Sequence, residues 1–259
     1  EGAGRNGFYL PFTESGVLGA DLAETGRTAP SVSFLQSAAS TSNAQNYTFS
    51  SQSLGTAADD RKIIACVNSS AVNVSALSVS SVTIGGVSAT QIVAGNADNN
   101  NSLQPFAIFI ADVPSGTSGD VVVSLNANNG ANCHIALYRA TGAGGIMSMG
   151  TINNAATSST TTLTRIAQMP ENSVAILHGN KNGKDVAMNL TGVTEEYDFG
   201  HEADSGADMR TFGGINTSAA SSGAVALTTS AALASGTSSY LGITTIVIKP
   251  DGDNSFTVG

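Results

Sequence analysis

Ser81-Val82-Thr83-Ile84-Gly85-Gly86-Val87-Ser88-Ala89-Thr90 reads as two short β-forming runs folded about a Gly-Gly pair. A tight primed turn needs positive φ at its central residues, which glycine supplies without steric cost, so the stretch predicts a β-hairpin. Alternation along the two arms sets Val82, Ile84, Val87 and Ala89 on one face, the face that turns to a core.

The same pattern continues on both sides. Runs rich in Val and Ile, separated by Gly, Asn, Ser and Pro, occur at 61–67, 77–84, 87–94, 106–113, 120–125, 133–138, 173–178, 186–190, 223–228 and 241–248. None is both long and helical in period. Short strands at regular spacing without intervening helices predict an all-β chain, an antiparallel, jelly-roll-like β-sandwich. Val113-Pro114-Ser115-Gly116-Thr117-Ser118-Gly119-Asp120 is a second reversal, and predicts a hairpin over 106–125. The stretch 142–162 is dominated by Gly, Ala, Ser, Thr and Asn, and reads as a long surface excursion rather than a domain boundary. One sandwich domain is therefore expected over 45–259.

The first 44 residues differ. Gly7-Phe8-Tyr9-Leu10-Pro11-Phe12 sets four large apolar residues in six positions, and 13–44 carries only isolated hydrophobes. An aromatic-rich segment without a partner strand exposes an apolar patch unless it docks elsewhere. Residues 1–44 are expected to form an extended docking arm, with Phe8, Tyr9, Leu10 and Phe12 as its assembly contacts on a neighbouring subunit. Covering the open end of its own sandwich is the alternative.

Of the 259 residues only 11% are charged, against roughly 25% in an average domain, and Ser, Thr, Asn, Ala and Gly make up the difference. Such a neutral polar surface suits a protein packed among many copies. With ten Lys and Arg against nineteen Asp and Glu, the formal charge is −9 and no basic stripe is present, which argues against a nucleic-acid partner. No apolar run approaches the ~20 residues a membrane helix needs. The start, Glu1-Gly2-Ala3-Gly4, has no signal-peptide layout, and its lack of a Met suggests trimming or missing upstream residues.

Catalysis needs a nucleophile, base or metal cluster at a readable spacing. No Gly-x-Ser-x-Gly elbow, phosphate loop or zinc-type Cys/His spacing occurs, and His134, His178 and His201 are far apart. The chain is expected not to be an enzyme and to use no cofactor. The acidic segment 195–204 carries Glu195, Glu196, Asp198 and Asp204, carboxylates that could hold a hard cation such as calcium, but without the alternating pattern of a calcium loop. A solvated loop with Tyr197 and Phe199 tucked inward is the competing reading. Cys66 and Cys133 fall in strands and read as buried free thiols, with a bridge between facing sheets as the alternative.

Several blocks together carry a resemblance: Ser53-Leu54-Gly55-Thr56-Ala57-Ala58-Asp59-Asp60-Arg61-Lys62-Ile63-Ile64, then 82–90, then 108–123, then Ile135-Ala136-Leu137-Tyr138-Arg139. In this order they resemble a module of tail-fibre and other virion proteins of phages and prophages. The opening Asn6-Gly7-Phe8-Tyr9-Leu10-Pro11-Phe12, with Leu18-Gly19-Ala20-Asp21 after it, is similar to a segment recurring in such proteins. The resemblance covers about half of the chain. It implies a β-rich structural virion protein of a bacteriophage, a capsid decoration or fibre component, with no catalytic residues to transfer. Its expected partners are other capsid or tail proteins and further copies of itself. The alternative is a carbohydrate-binding or adhesin module recognising a host surface glycan, with Tyr197, Tyr240, Asn99, Asn100 and Asn101 as contacts. The absence of Trp makes stacking platforms scarce.

Overall fold

Lys62-Ile63-Ile64-Ala65-Cys66-Val67 is apolar at consecutive positions, not alternate ones, and residues 63–67 are wholly buried. A strand of that kind needs a hydrophobic layer on each face. The computed structural model, which describes residues 28–72, 76–98, 102–127, 131–153, 162–203, 207–217, 225–234 and 240–251, supplies both layers. Ile63, Ala65 and Val67 enter one core, and Ile64 and Cys66 enter another on the opposite side.

The described elements are strands: β1 (Ser31–Ser40), β2 (Asn46–Ser53), β3 (Lys62–Val72), β4 (Val79–Ile84), β5 (Val87–Ser88), β6 (Thr90–Asp98), β7 (Ser102–Asp112), β8 (Ser118–Leu125), β9 (Asn132–Thr141), β10 (Ala143–Asn153), β11 (Thr162–Met169), β12 (Val174–Asn182), β13 (Met188–Thr191), β14 (Thr194–His201), β15 (Met209–Asn216), β16 (Val225–Leu233) and β17 (Leu241–Pro250). They form four antiparallel sheets, ordered β1-β9-β3-β7-β6, β2-β8-β4-β5, β10-β17-β12-β15-β14 and β11-β16-β13.

The chain makes one design twice. Substituting β10 for β1, β11 for β2, β12 for β3, β13 for β4, β14 for β6, β15 for β7, β16 for β8 and β17 for β9 converts the first two sheet orders into the last two, save for the short β5. Within each half the pairing is nested. β1 pairs β9, β2 pairs β8, β3 pairs β7 and β4 pairs β5. β10 pairs β17, β11 pairs β16 and β12 pairs β15 in the same way. A long hairpin wrapped into two facing sheets gives this order; β1–β9 form roll 1 and β10–β17 form roll 2.

Roll 1 encloses a core between its two sheets, and roll 2 encloses two smaller ones. A further apolar layer lies between the two five-stranded sheets, which stack face to face. The molecule is thus four sheets deep. β1 lies against β14 and β6 against β10, contacts that the strand correspondence exchanges. The two rolls therefore meet as two copies about a two-fold axis do. One residue joins them: Gly142, at φ 66°, separates β9 from β10. Its N–H donates to the Asp60 carboxylate (2.6 Å) and its carbonyl accepts the Asp251 N–H (2.9 Å), which ties the joint to both rolls.

The all-β antiparallel expectation holds, and the strand pairing refines several of its details. Residues 31–40, assigned to the arm, form β1 and pair with β9, and the sandwich expected over 45–259 is two rolls. Residues 143–153, read as a surface excursion, are strand β10. The Gly85–Gly86 hairpin is present with φ 58° and 81°. Val82 and Ile84 are buried as expected, but Val87 is 38% exposed because β5 is a two-residue strand at the sheet edge. The 113–120 reversal is no hairpin: β7 and β8 belong to opposite sheets of roll 1, and the turn arches between them. Turn chemistry is the same in both cases, so local sequence does not distinguish an arch from a hairpin.

Candidate functional site

Antiparallel pairing puts Gly142, the 53–61 connection, the 113–117 arch and residue 251 at one end of the strands, the joint end. The layer between the rolls changes character along the strands. Toward the joint end it is apolar, with Ile64, Tyr138, Val174, Ile176, Ile246 and Ile248. Toward the far end it is polar and still buried, with Asn68, Ser70, Gln104, Asn132, His134, His178 and Asn180.

Side-chain hydrogen bonds join the rolls there. Asn68 donates to the Gly179 carbonyl (3.3 Å), Gln104 to that of Asp208 (3.1 Å), and Ser70 (2.6 Å) and Asn132 (3.3 Å) both to that of Ala207. In the other direction Asn180 donates to the Gln104 carbonyl (2.8 Å). Backbone acceptors fix the relative position of the sheets, since each of these bonds is lost if one sheet slides by a residue.

All three histidines of the chain, far apart in sequence, meet in this layer. The Val67 carbonyl can only accept, so His178 carries its proton on Nε2 (3.3 Å), and Nδ1 accepts the Tyr197 hydroxyl (2.7 Å). His201 Nε2 pairs with Thr211 Oγ1 at 3.0 Å. His134 lies 4.9 Å from His201 and 5.4 Å from Tyr197, ring centre to ring centre, and neither of its nitrogens has a partner among the described residues. Burial pushes His178 down to about 4; burial, reinforced by the Arg210 charge, does the same to His201. His134 is lowered by burial first and then by the other two histidines. Three neutral imidazoles held by sheet contacts form a structural layer.

The close approach of the sheets depends on glycine. A Cβ on Gly242 of roll 2 would strike the Phe106 ring of roll 1, and one on Gly95 would stand 2.5 Å from the same ring and 2.9 Å from Thr151. Phe106 is fully buried and edge-on to His178 at 6.2 Å.

The residues singled out on sequence are dispersed. The acidic segment is not a loop: Glu195, Glu196 and Asp198 lie on β14. Asp198 is engaged by Arg210 Nε and Nη2 and accepts the Met188 N–H at 2.9 Å, so it is committed to the fold. Asp204 lies outside the described residues, and among those described no three His, Cys, Asp or Glu side chains gather as a metal site. Tyr197, expected at a glycan surface, is 2% exposed and stacked on Phe34 at 6.0 Å, so it offers no platform. The competing expectation, that it tucks inward, is the correct one. Its neighbour Phe199 is exposed instead. Tyr240 is partly exposed beside β17, whereas Asn99, Asn100 and Asn101, like Phe8, Tyr9, Leu10 and Phe12, lie outside the described residues. Cys66 and Cys133 are free and buried on opposite faces of one sheet, which rules out a bridge between them.

Arg61 was overlooked in the sequence. It is fully buried and spends five donor contacts on backbone carbonyls: Nε to Val113 (2.6 Å), Nη1 to Leu54 (3.1 Å) and Gly55 (2.9 Å), Nη2 to Ser115 (2.7 Å) and Gly116 (2.8 Å). It locks the 113–117 arch to the 54–55 connection. The sequence signal is slight, one Arg opening an apolar run, but Asn68-Ser69-Ser70 continuing that run is a readable sign of a buried polar layer. Comparison with family models, curated proteins and solved structures found no match to the chain.

Proposed function

We propose that this chain is a non-enzymatic structural protein of a bacteriophage-type particle, a capsid decoration or fibre component that assembles through protein–protein contacts. The observation that carries the reading is the two-roll stack, in which, among the described residues, the histidines, Asp198, Arg210 and Arg61 are committed to structural contacts. The three histidines are buried and Asp198 and Arg210 neutralise each other. Arg61 fastens an arch. The chain is sparsely charged and rich in Ser, Thr and Asn, as suits a body held among many others. The virion part of the reading rests on the block resemblance. Its blocks at 53–64, 82–90, 108–123 and 135–139 fall in roll 1, and two of them supply Arg61 and the carbonyls it holds. Attachment is assigned to the N-terminal segment with Phe8, Tyr9, Leu10 and Phe12, through which the chain would contact capsid or tail proteins or other copies of itself.

The test is immunogold electron microscopy of gradient-purified particles with an antibody against this chain. Regular label on heads or tails is expected. Label confined to cells or to the soluble fraction overturns the reading and promotes the carbohydrate-binding alternative. That alternative is favoured by one observation: the end of β6 at Asp98, the start of β7 at Ser102 and the partly exposed Tyr240 lie at the same, far end of the strands. Binding to a glycan array that is lost in Tyr240→Ala would support it.

A further inference from the structure

The seam between the rolls has two unlike halves, and its histidines all sit in the far one. His134 comes from β9 of roll 1, and its ring neighbours belong to β14 of roll 2: His201 at 4.9 Å, Tyr197 at 5.4 Å and Phe199 at 6.3 Å between ring centres. His178 reaches the other way, from β12 to the Val67 carbonyl of roll 1.

The groups packed on these rings offer no counter-charge. Ala39 of β1 and Asn68 of β3 pair with His134 across the sheet. The Tyr197 hydroxyl is shared by His178 and the Cys66 thiol of β3. Thr211 and Arg210 of β15 flank His201, and Arg210 is already neutralised by Asp198 of β14. Lys181 of β12 spends its ammonium on the Asn182 and Gly183 carbonyls, and Glu202 and Asp208 pair with Lys184. Among the described residues no carboxylate pairs with any of the three imidazoles. A proton added here is therefore an uncompensated buried charge.

The joint-end half has no such weakness. Ile64, Val174, Ile176, Ile246 and Ile248 fill it beside Tyr138, whose hydroxyl burial pushes up and which stays neutral in acid. The covalent link between the rolls, Gly142, lies at that end, and each roll keeps a core of its own. At the far end the rolls are held by side-chain hydrogen bonds to the Gly179, Ala207, Asp208 and Gln104 carbonyls.

We propose that acid opens the far half of this seam as a clamshell about the joint end, with each roll still folded, because protonated His134 and His201 repel one another across it. Opening returns the rings to water. His178 and His201, at about 4 when closed, regain the ordinary 6.5, so at pH 4 each ring favours the open form by about a hundredfold. The proposal concerns the free chain and does not rest on the virion reading.

The two native thiols report on the opening. Cys66 lies in the seam and Cys133 in the core of roll 1, and both are fully buried. The chain is treated at pH 7.5 and at pH 4 with dithiodipyridine, a disulfide that reacts with thiols in acid. Peptide mapping gives the rate at each cysteine relative to the urea-unfolded chain at the same pH. The expected result is a rise of at least about tenfold at Cys66 on acidification while Cys133 stays protected. His134→Leu and, in parallel, His134→Gln should each cut that rise severalfold. Protection of both thiols at pH 4 overturns the proposal, as does their exposure in parallel, which is global unfolding. So does a rise at Cys66 that persists in whichever His134 variant is protected at pH 7.5, because the charge across the seam is then not its cause.

Discussion

Roll 1 and roll 2 share a strand order but not a core. Roll 1 closes a four-stranded sheet over one continuous cluster that includes Tyr47, Phe49, Phe109, Ile63, Ile84, Val121 and Leu137. Roll 2 closes a three-stranded sheet over two smaller clusters, one around Leu163, Leu177, Phe212 and Ile243, the other only Met169, Ala175 and Val247 with partly buried neighbours. Full burial of one such large side chain is worth about 1.5–3 kcal/mol. On that scale the described core of roll 2 is the smaller, and roll 2 is expected to draw more of its stability from the layer it shares with roll 1. The same topology can therefore stand on unequal cores, provided the weaker copy is stacked on the stronger. The arch locked by Arg61 adds to the asymmetry, since the residue that leads into β12 of roll 2 is Ser173, where Arg61 leads into β3 of roll 1.

The largest expected effect tests that lock. Arg61→Met removes a charged donor set and leaves buried carbonyls bare, and should cost about 3–5 kcal/mol in urea unfolding. A loss under about 1 kcal/mol would mean the arch holds without it, and the contrast between the rolls would shrink to core size.

Phe106→Ala should cost a similar or slightly smaller amount, about 3–4 kcal/mol. It probes the shared layer, so amide exchange should accelerate in β12 and β17 as well as in β3 and β7. Acceleration confined to roll 1 would show that roll 2 stands alone.

Acid should act on the same layer. The histidine pKa values in the folded chain lie below the ordinary 6.5, to about 4 for His178 and His201, so the unfolded chain takes up protons first as pH falls. Their contribution to stability is complete above about pH 6.5 and is lost as the pH drops through about 4. Urea midpoints should fall across that window. His134→Leu, which removes a buried ring lacking hydrogen-bond partners among the described residues, should flatten the fall without lowering stability at pH 7.5.

A smaller difference separates the outer sheets. β11, β13 and β16 should exchange their amides at least about tenfold faster than β2, β4 and β8, equivalent to about 1.4 kcal/mol of local stability. Equal protection would contradict the ranking of the two cores. The smallest effect is expected from Lys62→Ala, which breaks the ion pair with Asp112 on the surface of roll 1 and should change stability by less than about 1 kcal/mol.

Much of the fold is legible residue by residue. The runs at 61–67, 106–113, 133–138, 173–178 and 241–248 became β3, β7, β9, β12 and β17, five of the six interior strands of the two stacked sheets. Their Val and Ile density is the signature of burial on both faces. The strands that went unread, β1, β2, β10, β11, β14 and β15, have Ser, Thr, Gly or charged residues among their apolar positions. All of these but β15 are sheet edges, where one side needs no apolar neighbour. The histidine layer was invisible because His134, His178 and His201 come from three strands of two rolls, and no spacing along the chain encodes which sheets will face each other.

The sequence by itself determined that the chain is all-β, where its strongest strands and glycine turns fall, and that its charge is sparse, because side-chain shape and backbone freedom act locally. Only the tertiary structure decided that there are two rolls, that the 113–120 turn is an arch, that Tyr197 points inward and that Arg61 is buried. Each of those depends on which sheet a strand joins and which faces are stacked. Those choices are made by packing between residues a hundred positions apart, where the local pattern is the same for either outcome.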